Sequence, residues 1–289
     1  MNRCATLLRT PAVVLRRFDH PPGDAHVDPE REVSGSHSVS IVEAGAFDLA
    51  MDGGRWRFSP GTLFVARKGM EYACSHDDEE PSDRCLSVSF ADRTVDDLRS
   101  ADLPALRPPF AHLSARRNYL RHRLATCVPG DEVRLELLAG ALFESLGTAD
   151  VPRPVRAAGR TTELMRRIDR AVELVEADYA RTLTLEDLAG AAGLSPFHFA
   201  RVFRELVGMP PHRWLTAVRL RHAARLLAAG ESVTRTCYDV GFGSLSHFVT
   251  AFRKRFGVSP SQVKRGAELP TLHASLSRPV WSRAFAAGA

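Results

Sequence analysis

The same pattern of apolar and polar residues occurs twice in the C-terminal half of the chain. The stretch HFARVFRELVGMPP, residues 198–211, returns 49 positions later as HFVTAFRKRFGVSP, residues 247–260. In the first copy, apolar residues recur at intervals of three and four, which places their side chains on one face of a helix. These residues are Phe199, Val202, Phe203 and Leu206. Because a repeated motif generally marks a repeated structural unit, we predict two copies of one helical unit.

Each copy is preceded by the signals of a shorter helix and a tight turn. Upstream of the first copy, Thr184 and Asp187 form a pattern like a capping box. Gly193 supplies the left-handed backbone at which helices often end. Ser195 is placed to cap the second helix, with Pro196 at its first position. Two short helices that meet at a glycine turn describe a helix-turn-helix.

The second copy follows the same scheme with a turn that is one residue longer. Small Cys237 stands four residues before Gly241, as Ala189 stands four residues before Gly193. A small residue at this position lets two crossing helices approach closely. Between the two copies, the apolar spacing over 210–230 predicts one long helix that joins them and packs on both.

The N-terminal half has a different pattern. Residues 33–90 contain short β-forming runs separated by turn signals, and the step Asp52-Gly53-Gly54 between FDLAM and RWRF predicts a hairpin. CLSVSF, residues 85–90, predicts a further strand. Several short strands without intervening helices indicate a small barrel or sandwich. Two helices are predicted after them, at 114–127 and 131–146, which either pack on the strands or form a dimer contact.

The predicted fold is multidomain α+β. It has an N-terminal β-barrel with short helices and a C-terminal all-α domain, in which a long helix joins two helix-turn-helix units. The Pro content of TADVPRPVRAAGR and its lack of any period indicate a linker. The predicted boundaries are 1–147 for the N-terminal domain, 148–160 for the linker, 161–266 for the C-terminal domain with the two helix-turn-helix units and 267–289 for a flexible tail.

Charge is distributed unevenly along the 289 residues. Residues 161–266 hold 16 Lys and Arg against 10 Asp and Glu, a balance of +6, whereas residues 1–160 hold 21 against 23. A basic half beside a near-neutral half suggests a polyanionic partner for the former, although a solvated surface would have the same composition. Five cysteines without CxxC spacing suggest free thiols in a reducing compartment. We see no signal peptide or membrane-spanning run, so the expected location is the cytoplasm.

The outward face of each second helix carries side chains that suit DNA. Arg can bond two acceptors of guanine in the major groove, Ser and Thr can bond base edges or phosphates, and exposed apolar side chains can meet a thymine methyl group. Two such helices on one rigid connection could enter successive major grooves about 34 Å apart on one face of the duplex. The alternative is an all-α domain that binds protein or has no ligand.

The repeat resembles the AraC/XylS family of bacterial transcription regulators over residues 165–265. The resemblance rests on LEDLAGAAGLSPFHFARVFRELVGMPPHRWL and DVGFGSLSHFVTAFRKRFGVSP. It implies a two-lobed domain whose third and sixth helices enter the major groove of double-stranded DNA. The implied base-proximal residues are Phe197, Ala200 and Arg201 in the first lobe and Leu245, Ser246, His247 and Thr250 in the second. The implied phosphate contacts are Ser195 and Ser244 at the helix starts, with Arg204 and Arg253.

One position departs from the family pattern. Many members carry Arg where this chain has Thr250, the counterpart of Arg201 in the first lobe. The second lobe is therefore expected to read bases more weakly or differently. Arg253 and Lys254 are expected to contribute mostly to binding that does not depend on sequence.

The strands resemble, through FSPGTLFVARKG, the cupin-like sensor barrel of the same family. That resemblance implies a small-molecule effector bound in the barrel and coupled to the DNA-binding domain. We also expect a homodimer, and RNA polymerase is a possible further partner. The sequence leaves open the effector, the operator, and whether the outcome is activation or repression. A variant of this hypothesis keeps DNA binding and makes the N-terminal half a protein-binding module without a ligand.

Because cupins can be metalloenzymes, the His and Cys residues of the N-terminal half are candidate metal ligands. The metal candidates are His26, His37, Cys74, His76 and Cys85, and thiolate with imidazole would suit zinc or a heavier ion. Their spacing matches no strong metal motif, so we predict no metal and no cofactor, and we interpret DDEEPSD, residues 77–83, as a solvated acidic loop. We find no catalytic motif and predict that the chain is not an enzyme. The alternative function is a metal-dependent cupin enzyme fused to a DNA-binding domain.

Overall fold

The computed structural model divides the chain into two compact units, formed by the first 153 residues and by the remainder. The residues that it describes are 3–20, 31–51, 53–76, 82–92, 94, 110–146 and 158–266. The predicted tail and residues 148–157 of the predicted linker lie outside these ranges. Helix α3 (Ala158–Asp178) includes the last residues of that linker.

The described strands of the first unit are antiparallel and form two sheets. The six-stranded sheet has the order β1 (Arg3–Arg9), β2 (Val13–His20), β9 (Asp83–Phe90), β4 (His37–Gly45), β7 (Thr62–Ala66) and β10 (Phe110–His112). The four-stranded sheet has the order β3 (Arg31–Val33), β8 (Glu71–Ser75), β5 (Phe47–Met51) and β6 (Gly54–Phe58). The predicted hairpin is confirmed as β5 and β6, whose last pair is Met51 with Gly54. The sequence interpretation missed β1, β2 and β10.

The prediction of a barrel is wrong for the described residues, because their strands do not join into one closed ring of hydrogen bonds. The bends at which the chain passes from one sheet to the other include Gly45, where φ is 69°, and the Pro60-Gly61 turn. Side chains from both sheets instead share one buried cluster. Within it, the ring of Phe58 contacts those of Phe47 and Phe64 at centroid distances of 5.4 and 5.5 Å.

Two helices cover the six-stranded sheet, α1 (Ala115–Ala125) and α2 (Glu132–Leu146), close to the predicted bounds. Their buried apolar side chains join those of the sheet in one core, which includes Leu15, Ile41, Leu86, Val88, Leu124, Leu135, Ala139 and Leu142. The inward side of α2 includes Leu135, which is buried, whereas Val133 is 45% exposed. Packing on the sheet is therefore confirmed for these helices.

The second unit is helical throughout its described residues apart from short turns. After α3 come α4 (Leu185–Ala192), α5 (Pro196–Val207), α6 (Pro211–Ala228), α7 (Val233–Asp239), α8 (Leu245–Phe256) and α9 (Pro260–Lys264). Helix α6 is the predicted long connection, and it contacts both α5 and α8. The predicted first stripe is buried in full, and in α8 Phe248 and Phe252 are both 0% exposed. Burying aromatic rings of this size is the main stabilisation available to such short helices.

Candidate functional site

The first helix-turn-helix consists of α4 and α5. The predicted capping box is confirmed: the Thr184 hydroxyl accepts from the backbone N–H of Asp187, whose carboxylate accepts in return from the N–H of Thr184. Gly193 ends α4 in the left-handed conformation, with φ of 61°. The Arg167 guanidinium of α3 donates to the carbonyl oxygens of Ala192, at 2.8 Å, and of Gly193. These bonds satisfy carbonyls at the end of α4 and hold the turn in place.

The second helix-turn-helix consists of α7 and α8. Its turn glycine, Gly241, has a φ of 88° and lies against the backbone of Ala180, just beyond α3. Cys237 is 0% exposed, as expected for a small residue at a helix crossing. The Ser244 hydroxyl caps α8 by accepting a hydrogen bond from the N–H of His247 at 3.4 Å.

The outward face of α5 does not pack into the core. Phe197 is 83% exposed, an unusual situation for so large an apolar side chain, and Arg201 and Arg204 are also exposed. Ala200 is half-buried between them. Ser195 holds the predicted N-cap position, but its side chain makes no capping hydrogen bond. Its exposed hydroxyl is thus not used by the helix.

The corresponding face of α8 is also exposed. Leu245 is 36% exposed. The other exposed residues of this face are Ser246, His247, Thr250 and Arg253. The His247 ring lies 5.5 Å from that of Phe242, which orients it at the start of the helix. The last turn carries three basic residues, Arg253, Lys254 and Arg255, where the negative end of the helix dipole favours positive charge. Each predicted DNA-contacting residue thus lies on α5 or α8 or at its N-cap.

Sequence comparison decides the family. A family model described as a helix-turn-helix domain matches residues 188–266. RhaS of Escherichia fergusonii, an HTH-type transcriptional activator, is 31% identical over 246 residues, which make up 80% of this chain and 86% of RhaS. The chain belongs to the AraC/XylS family of transcriptional regulators.

Two further matches cover less of this chain. The HTH-type transcriptional regulator GlxA of Rhizobium meliloti is 32% identical over 182 residues, or 56% of each chain. Several curated relatives are matched over only 28% to 56% of their own length. A crystal structure of a probable AraC family regulator from Rhodopseudomonas palustris is 31% identical, covering 36% of this chain and 98% of that one, with a TM-score of 0.34. No helix in the described ranges is long and apolar enough to cross a membrane.

The N-terminal unit of this AraC/XylS regulator contains a polar cluster that the sequence interpretation did not assemble. Its members are His20, His76 and Asp83, and the Asp83 Oδ1 atom lies 2.7 Å from His20 Nδ1 and 2.6 Å from His76 Nε2. His76 was a candidate on sequence, whereas Asp83 was assigned to a solvated acidic loop. That assignment is wrong for Asp83, which is 4% exposed as the first residue of β9. Residues 77–81 of that loop and His26 lie outside the described ranges.

The protonation of this cluster reflects its burial and its internal contacts. Burial would raise the pKa of Asp83, but the two imidazoles lower it well below its usual range. The contact with Asp83 raises the pKa of His20 despite partial burial. Burial raises the pKa of Cys74 to about 12, so this thiol stays protonated at neutral pH. Cys85 is buried and its thiol donates to Asp83 Oδ2 at 3.2 Å.

Proposed function

We propose that this regulator binds a specific DNA sequence by inserting α5 and α8 into successive major grooves of one duplex, about 34 Å apart. The observation that carries the proposal is the division of each helix into a buried phenylalanine stripe and an exposed face. That exposed face holds the side chains that base and phosphate contacts require. The packing of both helices on α6 supports a fixed spacing between them.

The roles are those that the AraC/XylS resemblance implies, and the chemistry of the exposed faces supports them. In the first lobe, Arg201 is the candidate for two hydrogen bonds to guanine, and Phe197 and Ala200 for contacts with a thymine methyl group. In the second lobe, Leu245, Ser246, His247 and Thr250 are the base-proximal residues. Phosphate contacts come from the helix starts, Ser195 and Ser244, and from Arg204 and Arg253. Phosphate contacts position the protein, while base contacts give specificity.

The N-terminal unit, up to about residue 147, is proposed to be a cupin-like effector-binding and dimerisation domain, linked to a DNA-binding domain at 161–266. A small-molecule effector would act by favouring one arrangement of the DNA-binding domains over another. Binding as a homodimer would add avidity on a repeated operator. Contact with RNA polymerase belongs to the same proposal, and the name of RhaS as an activator supports a role in activation.

We propose no catalytic activity and a cytoplasmic location, supported by relatives named as transcriptional regulators. The competing function is a metal-dependent cupin enzyme fused to a DNA-binding domain. The grouping of His20, His76 and Asp83 is the observation that favours it. Turnover by metal-loaded protein that disappears in His76→Ala would establish it.

The experiment that tests DNA reading is selection from a pool of random duplexes with full-length protein at near-physiological salt. We expect a motif of two short blocks about one helical turn apart. Arg201→Ala should relax one block and Thr250→Ala the other. Glu186→Gln, an exposed position on α4, serves as the matched control and should leave both blocks unchanged.

Two outcomes would contradict the proposal that both helices read the base sequence. Binding that depends on salt but not on sequence would make the unit a backbone clamp. A single block that responds to Arg201→Ala but not to Thr250→Ala would confine base reading to the first lobe.

A further inference from the structure

Within the described residues, three potential metal ligands converge on one point of the N-terminal unit. One donor atom from each of His20, His76 and Asp83 lies within 4.8 Å of the other two. All three side chains are shielded from solvent, with exposures of 17%, 8% and 2%. Convergence of this kind brings the donor atoms together at a single point, as ion coordination requires.

Strand pairing explains why the donors meet. His20 ends β2 and Asp83 begins β9, and the two are direct partners in the antiparallel ladder. On the other side of Asp83, β4 contributes Gly45 as its partner. A Cβ atom at Gly45 would lie 2.8 Å from the Cα atom of Asp83, so only glycine permits this close approach. The position of the carboxylate is thus set by two neighbouring strands.

The third donor comes from the other sheet. His76 directly follows β8, which belongs to the four-stranded sheet, whereas β2 and β9 belong to the six-stranded sheet. An ion held by all three side chains would therefore cross-link the two sheets. At this point the ion would connect the two sheets, as hydrogen bonds between their strands would do in a closed barrel.

The carboxylate is oriented by a further group. The Cys85 thiol donates to Asp83 Oδ2, which leaves Oδ1 directed at the two imidazoles. Such outer contacts commonly orient metal ligands and tune their affinity. Ligand atoms on a tetrahedral zinc ion are about 3.3 Å apart, so each imidazole nitrogen would move roughly 0.6 Å away from Asp83 Oδ1 to admit one. The two nitrogen atoms, which lie within 4.8 Å of each other, would have to reach the same separation.

We propose that His20 Nδ1, His76 Nε2 and the Asp83 carboxylate bind a divalent first-row transition-metal ion, and that the Cys85 thiol orients the carboxylate. Two imidazoles and one carboxylate suit zinc, iron, nickel or copper better than magnesium or calcium, which prefer oxygen ligands alone. Three protein ligands leave a coordination position for water or for a donor atom of another molecule. This site lies in the N-terminal unit and is independent of the proposed DNA contacts.

The test uses full-length protein freed of metal with a chelator and titrated with Zn²⁺ against a chromophoric competitor. We expect one ion per chain. The affinity should fall by more than about 100-fold in His20→Gln and in His76→Ala, and by about 10-fold in Cys85→Ala, as is typical of a lost outer contact. His112→Ala, an exposed histidine of the same unit, is the matched control and should bind as the wild type does.

Two further measurements keep the outcome decisive. Zn²⁺ should raise the melting temperature of the wild type and of His112→Ala but not of His20→Gln, whose partly exposed position makes a folded variant attainable. Co²⁺ should give a visible spectrum without a thiolate charge-transfer band. Binding that is equally strong in His20→Gln, or a thiolate band that disappears in Cys85→Ala, would overturn the proposed ligand set.

Discussion

Arg221 of α6 forms an ion pair with Glu176 of α3, in which the guanidinium is buried and the carboxylate is partly exposed. One guanidinium nitrogen of Arg221 donates to both carboxylate oxygens of Glu176, at 2.8 and 2.7 Å. The Arg221 side chain is 7% exposed and that of Glu176 is 37% exposed. Nearby, Arg219 donates to the carbonyl oxygens of Tyr179 and Arg181 at 2.7 and 2.8 Å. The connecting helix is thus tied by charged hydrogen bonds to α3 and to the segment after it.

Loss of the Glu176 carboxylate should destabilise the second unit. We expect Glu176→Ala to lower the free energy of unfolding by about 1–3 kcal/mol, because Arg221 then keeps a buried charge without this partner. Urea unfolding followed by circular dichroism measures the change. Arg225→Ala, at an exposed position of the same helix, should stay within about 0.5 kcal/mol of the wild type. The double variant Glu176→Ala, Arg221→Met should recover much of the loss, and failure to do so would contradict this explanation.

The turn of the second helix-turn-helix depends on Gly241. A Cβ atom there would lie 2.5 Å from the carbonyl oxygen of Ala180, and the φ of 88° is itself unfavourable for other residues. Gly257 also has a positive φ, of 76°, but no atom lies within 4 Å of the position of a Cβ there. Its substitution therefore measures the cost of the backbone conformation without a steric contact. We expect Gly257→Ala to cost about 1–2 kcal/mol of unfolding free energy and Gly241→Ala clearly more. Equal losses in thermal or urea unfolding would mean that the contact with Ala180 is not restrictive.

Arg201 is predicted to read a base. Its exposure on α5 leaves the guanidinium available for two hydrogen bonds to guanine. Arg201→Ala should weaken binding to the selected site by about 1–3 kcal/mol and relax specificity at one base pair. The measurement is titration of the selected duplex and of its single-base variants. An equal loss on every sequence would assign Arg201 to phosphate instead.

Arg253 is predicted to contact phosphate. It lies exposed in the last turn of α8, away from the helix start that holds Ser246 and His247. Arg253→Ala should weaken binding to all duplexes by a similar factor. The slope of log affinity against log salt concentration should become shallower by about 1, since one fewer phosphate is neutralised. A change of base preference without a change of slope would contradict this role.

The sequence by itself determined the helical unit and its repetition. Helix caps, turn glycines and the spacing of apolar residues are local signals that act within one or two turns, so Thr184, Gly193 and the Phe199–Phe203 stripe could be assigned without coordinates. The exposed faces of α5 and α8 followed from the same period, because a helix that buries one side presents the other. The hairpin of β5 and β6 could be predicted for the same reason, because the turn residues that indicate it lie between its two strands.

Only the tertiary structure decided which distant residues meet. His20 and Asp83 are brought together by the pairing of β2 with β9, and His76 joins them from another sheet, an arrangement that no local spacing encodes. Because the strand β2 was missed, His20 was not among the predicted metal ligands. The burial of Asp83 and the pairing of Arg221 with Glu176 likewise depend on long-range packing. The sequence does not show whether a charged residue is solvated or buried, because its burial depends on the residues that pack around it in the folded chain.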